Sequence, residues 1–207
     1  MTDPISLFVD MTDRRVIVFG GGPVALRKCN YMKGSDITIV SSSVLPEFDG
    51  SVNNIILENV SEDRIDDMIS GHDLVVAATS DRELNDLICK IAKRSRIPVN
   101  SAHGGGDVLF PSVLEREGYL VAVSSKGKVP AFPPYVVEEL DKILDQGFDM
   151  MLDLMVALRS KYSDQWDQRR RSEFYRAVLR NSRVREYVDK GDLDSAMEVA
   201  EGMGEEL

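Results

Sequence analysis

Gly20, Gly22 and Ala25 stand at the spacing glycine-x-glycine-x-x-alanine, directly after the apolar run Val16–Phe19 and directly before residues with helical spacing. Such a corner offers free main-chain N–H groups, a chemistry suited to a pyrophosphate. The first glycine makes the turn, the second admits the phosphates, and the small third residue lets the helix lie close to the sheet. Pro23 falls in the first helical turn, where a missing N–H costs nothing, and Val24 follows it there. A lone fingerprint of this kind also occurs in plain strand-to-helix corners, so the surroundings decide. A second β-type run, Asp36 to Val40, comes one helix later and completes a βαβ unit. Ser41, Ser42, Ser43 and then Val44 close that run, where an Asp or Glu usually holds the ribose 2′-hydroxyl. With no acid there, and no Arg for a 2′-phosphate, the serine hydroxyls are left for the ribose, which points to NAD over NADP.

These residues need a platform, and the pattern supplies one. Ile55–Leu57 reads as a third strand, Ser61 as the N-cap of a helix ending near Gly71, and Leu74–Ala78 as a strand buried on both faces. Thr79 closes that strand at the carboxyl edge, where open α/β sheets bind ligands. Ser80 or Asp81 caps a helix to Arg94, and Ile97–Asn100 is a fifth strand. The first helix is expected over Pro23–Lys33, with Gly34 ending it and Arg27, Lys28 and Asn30 toward solvent. The Ile5–Val9 segment is expected to pack on the sheet edge. Strands alternating with helices give a Rossmann-like, doubly wound parallel sheet.

Past Asn100 the pattern changes. Residues 101–107 form a glycine-rich loop, 108–110, 112–114 and 119–123 read as antiparallel strands with a hairpin turn at 115–118, and 124–128 form a second polar loop. A helix is expected over Tyr135–Asp145. From Phe148 on, the segments are helical, with helices at 166–179 and 193–203. The expected division is a Rossmann domain at 1–107, a small α+β dimerisation region at 108–147 and a helical C-terminal domain at 148–207.

Composition narrows the options. The chain has 207 residues, enough for one full core and a smaller appended unit, and its net charge of −10 opposes general affinity for nucleic acid or anionic membrane. No apolar stretch approaches the roughly 20 residues of a membrane helix, and the N-terminus lacks a signal-peptide pattern, so the expected location is cytoplasmic. Cys29 and Cys89 make no Cys-x-x-Cys pair and read as buried free thiols. No permanent metal site is expected, and His72 reads as a turn residue.

Taken together, several segments resemble the precorrin-2 dehydrogenase, or siroheme synthase, family over roughly residues 5 to 145. They are Leu7-Phe-Val-Asp10, Gly20-Gly-Gly-Pro-Val-Ala-Leu-Arg-Lys28, Val76-Ala-Ala-Thr-Ser-Asp81 with Glu83-Leu-Asn85, Pro98-Val-Asn100, Phe110-Pro-Ser112 and Val121-Ala-Val-Ser-Ser125. The resemblance implies a Rossmann domain, an intertwined homodimer, and NAD-dependent oxidation of precorrin-2 to sirohydrochlorin, followed in some members by ferrous iron insertion to give siroheme. It also implies a substrate pocket containing the serine matched by Ser125. The substrate is a polycarboxylate, so an acidic chain must gather local cations; Lys126, Lys128 and Arg116 flank the polar loops and are the candidates.

In relatives an aspartate linked to both reactions usually follows the strand-five asparagine by three residues, and this chain has His103 there. Either His103 takes that role as an acid–base group and transient ligand for incoming iron, or Asp107 has moved into it, or the activity is reduced to one reaction. A dehydrogenase-only or chelatase-only protein and a non-catalytic NAD-sensing module are the competing readings.

Overall fold

The computed structural model describes residues 4–205, and divides into two compact units at 110/111. The end positions of the expected first and last domains, 1–3 and 206–207, lie outside the described residues.

Unit 1 is built on a five-stranded, all-parallel sheet. In chain order its elements are β1 (Arg15–Phe19), α1 (Pro23–Asn30), β2 (Asp36–Ser41), β3 (Asn54–Leu57), α2 (Glu62–Ile69), β4 (Leu74–Ala77), α3 (Arg82–Arg94) and β5 (Val99–Ser101). Across the sheet they run β3-β2-β1-β4-β5, so the chain reverses direction of growth at β1 and β4, where α/β sheets open a crevice. β1 and β4 are apolar because helices cover both their faces. Ile17, Phe19, Val75 and Ala77 pack with Ile65, Ile69, Ile88 and Ile91 on one side; Val16, Val18, Leu74 and Val76 pack with Ala25, Cys29 and Met32 on the other. Both cysteines are free and buried, and burial pushes the Cys29 thiol up to about 11.

Several boundaries differ from the sequence reading. α1 stops at Asn30, three residues early, because Tyr31 and Met32 donate to the carbonyls of Lys28 and Cys29 in a tighter 3₁₀ turn before Gly34 reverses the chain at φ +89°. β5 starts at Val99, two residues late, since Pro98 has no N–H to give a ladder and only its carbonyl bonds, to Val75. Ile5, Leu7, Phe8 and Val9 are 63–80% exposed and pair with no strand among the described residues, so they do not pack on the sheet edge as expected. Lys28 turns inward, its Nζ donating to Asn100 Oδ1 and lying 5.2 Å from the Phe110 ring centre. Burial, helped by neighbouring Arg27, lowers its pKa.

Unit 2 opens with an antiparallel pair, β6 (Ser112–Glu115) and β7 (Leu120–Val123), packed on α4 (Phe132–Ile143). Residues 108–110, expected as a strand, form none. α4 begins three residues before the expected Tyr135 because Pro133 occupies the first helical turn, where proline is tolerated. α5 (Gln146–Tyr162), α6 (Gln168–Arg180), α7 (Ser182–Asp189) and α8 (Leu193–Glu205) follow. Their inward stripe, Met151, Leu154, Leu158, Phe174, Val178, Val184, Val188, Ala196 and Ala200, forms one core. α7 escaped the sequence reading; Asn181 starts it by capping Arg183 and Val184 directly after α6.

Candidate functional site

The corner between β1 and α1 has almost no slack. A Cβ on Gly20, which sits at φ +120°, would lie 2.3 Å from the Ala78 carbonyl oxygen, and one on Gly21 would lie 2.1 Å from that of Ser43. The turn is therefore wedged between the ends of β4 and β2. Gly22 differs: a Cβ there would meet nothing within 4 Å, and it starts α1 in extended conformation without any side-chain cap. Leu26 is the first residue to bond back into the helix, to Gly22, so the N–H groups of Val24 and Ala25 have no helical acceptor.

Gly20, Gly21, Gly22, Pro23 and Val24 line a cleft of about 700 Å³ with Ser41, Ser42, Ser43, Val44, Thr79 and His103, a volume within the range of ligand sites. A pyrophosphate fits here for two independent reasons: the backbone approach is open only at Gly22, and the helix start is left uncapped with its positive end toward the cleft.

On the far side of β1, side chains fix everything. Asp81 caps α3 by accepting from Glu83 N at 2.9 Å and Leu84 N at 3.1 Å. Asn85, fully buried, accepts from the Thr79 N–H at 3.1 Å and hydroxyl at 2.9 Å, and its Nδ2 donates to the Thr79 carbonyl at 2.9 Å. The same Nδ2 lies 2.8 Å from His103 Nδ1. The loop carrying His103 is held by Lys93, which donates to the Gly105 carbonyl, and by Gly106, where a Cβ would lie 2.4 Å from the Val99 carbonyl oxygen.

The protein-family model described as "Putative NAD(P)-binding" matches residues 7–112. A precorrin-2 dehydrogenase of Methanosarcina barkeri is 31% identical over 189 residues, which is 87% of this chain and 84% of the relative. Siroheme synthase 3 of Aeromonas hydrophila is 28% identical over 206 residues, 97% of this chain but 44% of the relative, so the chain spans less than half of that longer protein. Among solved structures, SirC, a precorrin-2 dehydrogenase, superposes with a TM-score of 0.76 at 21% identity, covering 96% of this chain and 99% of the other, which shows a shared fold. The chain belongs to the precorrin-2 dehydrogenase and siroheme synthase family.

Within this family member, the sequence-named residues separate into groups. Gly20, Gly22, Pro23, Val24, Ser41, Ser42, Ser43, Val44, Thr79 and His103 share the one cleft. Asp107 is absent from its lining: its carboxylate accepts from Val99 N at 2.7 Å while its own N–H donates to the Val99 carbonyl, so it closes the loop onto β5. Among the described residues, the carboxylate's hydrogen bond is to the main chain, which gives Asp107 a part in holding the loop.

In unit 2, Ser125 Oγ donates to the Val129 carbonyl at 3.0 Å and accepts from its N–H, closing the 124–128 turn in which Lys126 sits at φ +54° and Lys128 donates its N–H to the Ser125 carbonyl. Arg116 is committed to Asp141 Oδ1 at 2.8 Å and the Leu144 carbonyl at 2.9 Å, which ties the hairpin turn to the end of α4. That leaves it a poor candidate for gripping a substrate carboxylate.

The cleft also contains residues the sequence did not single out for it, chiefly Arg27, Glu58 and Asn59. Glu58 answers the missing acid after β2. It stands just past the end of β3, where its N–H donates to the Ser41 carbonyl at 3.0 Å and its carboxylate lies 4.0 Å from the Arg64 guanidinium, so strand adjacency brings residue 58 into the same cleft as the serines. The available signal was the β-run 54–57 itself, once paired with β2. Among the described residues no three His, Cys, Asp or Glu side chains come together as a metal cluster, and no helix is long and apolar enough to cross a membrane.

Proposed function

We propose that this chain oxidises precorrin-2 to sirohydrochlorin with NAD, as the names of its relatives suggest. The observation that carries the reading is the uncapped start of α1 opening on a cleft of cofactor size. The N–H groups of Val24 and Ala25 hold the pyrophosphate, and Ser41, Ser42 and Glu58 take the adenosine ribose. A carboxylate beside the 2′ position repels a 2′-phosphate and selects NAD, while Arg27 balances the remaining phosphate charge. Bound this way, NAD supplies a hydride acceptor. Mixing the purified protein with precorrin-2 and NAD tests this: absorbance of NADH and of sirohydrochlorin rises together, and a flat trace with active substrate overturns it.

The activity stops at oxidation. The resemblance implies an aspartate linked to metal insertion three residues after the strand-five asparagine; His103 stands there instead, with its Nδ1 2.8 Å from Asn85 Nδ2, which leaves no carboxylate at that place to accept a proton. Ferrous ion added to the finished reaction leaves the sirohydrochlorin spectrum unchanged; a siroheme spectrum at enzyme-dependent rate overturns this part.

The protein works as a cytoplasmic homodimer. Support comes from the β6–β7 pair, which has one strand partner each, and from Val129, Phe132 and Tyr135, all more than half exposed. Sedimentation as a monomer at micromolar concentration contradicts it.

A further inference from the structure

We infer that His103 is a hydrogen-bond donor to the cofactor rather than a base, and that Asn85 is the positioning residue that makes it so; the cofactor half rests on the dehydrogenase reading above. The amide orientation of Asn85 follows from groups whose polarity is unambiguous. The Thr79 main-chain N–H can only donate, so the atom facing it is Oδ1, and the Thr79 carbonyl can only accept, so the atom facing it is Nδ2. With Asn85 fully buried, a flip would oppose donor to donor and acceptor to acceptor on the same residue.

Nδ2 therefore presents its second hydrogen to His103 Nδ1, at 2.8 Å, and Nδ1 must accept it. The hydrogen of the neutral ring then sits on Nε2. The nitrogen with a lone pair faces inward and is used; the other offers an N–H.

His103 lines the cleft on the β4–β5 side, whereas Ser41–Val44 lie on the β2 side, with the pyrophosphate corner between them. A dinucleotide laid across that corner with its adenosine over β2 puts its other half, the nicotinamide, beside Thr79 and His103. The acceptor for Nε2–H is the carboxamide oxygen of that ring. Donation there anchors the nicotinamide half of the cofactor in the cleft.

The test has two arms on the full-length protein. In mildly alkaline buffer, nitrogen-15 NMR of histidine-labelled protein, assigned by loss of one ring in His103→Gln, shows hydrogen on Nε2 and none on Nδ1; the opposite tautomer, or an averaged signal, overturns the Asn85 assignment whether or not NAD binds. In the second arm, His103→Ala weakens NAD binding in calorimetry, and raises the KM for NAD, by about tenfold with kcat within about threefold, while His103→Gln, which keeps a donor, recovers most of the affinity. A fall in kcat of about a hundredfold or more at saturating NAD identifies a general base and overturns the donor role. Unchanged NAD affinity in His103→Ala overturns the cofactor contact alone. Wild-type protein that ignores NAD overturns the dehydrogenase reading instead, leaving the tautomer measured in the first arm to stand by itself.

Discussion

Two helix starts meet the same carboxyl edge of the sheet and are finished in opposite ways. At α1 the cap position is a bare glycine and the first-turn N–H groups face the cleft; at α3 Asp81 has taken two of them for itself. Both corners follow a buried strand, both begin a helix, and both line the cleft. The difference shows what a glycine fingerprint does: it withholds the side chain that would otherwise satisfy the helix, so that an external anion completes it. The capped corner instead fixes geometry, with Asp81 and Asn85 holding Thr79 and His103 at set positions.

The largest way to break this contrast is at Gly21. Gly21→Ala puts a methyl 2.1 Å from the Ser43 carbonyl oxygen, a backbone atom that cannot step aside, and should cost about 3 kcal/mol or more in chemical unfolding. Retained wild-type stability would mean that the corner has room for a methyl group. Gly22→Asp is the sharper change, because it turns the α1 corner into a copy of the α3 corner. Its side chain has open space and a compatible extended backbone, so the melting temperature stays or rises, while NAD affinity in calorimetry drops about a hundredfold from charge opposed to the pyrophosphate.

The reverse experiment, Asp81→Ala, removes two capping bonds and should cost about 1 kcal/mol, or about 4 °C in a thermal melt, with NAD affinity changed little. A cofactor loss larger than the stability loss would mean that Asp81 contacts the ligand. Smallest is Glu58→Gln, expected to narrow the preference for NAD over NADP by about fivefold in competitive binding; an unaltered ratio removes Glu58 from the ribose site.

The α1 corner was legible in the sequence because everything it needs is local: an apolar run, two glycines at fixed spacing and a helical period, all within about a dozen residues. The sheet followed from the same alternation. What stayed hidden depends on neighbours the chain supplies later. Glu58 joins the serines only because β3 lies beside β2, and the Asn85–His103 contact spans 18 residues that return through β5. Asp107 and Arg116 looked like available charges, yet each is engaged by main-chain groups, which no spacing rule reports. The Ile5–Val9 run reads as an edge-covering segment on hydrophobicity alone, and its exposure shows that an apolar run specifies burial only where a ladder or a face is open to it.

β1 carries one further implication. It is flanked on both sides by parallel partners, and Val16, Ile17, Val18 and Phe19 have at most 1% of their surface accessible. In deuterated buffer the amides of these four residues should be among the last of unit 1 to exchange, opening only when the whole sheet does. The glycines thus hang from the slowest-breathing strand in that unit, and the anion they await arrives at a cradle already set, with little freedom left to surrender on docking.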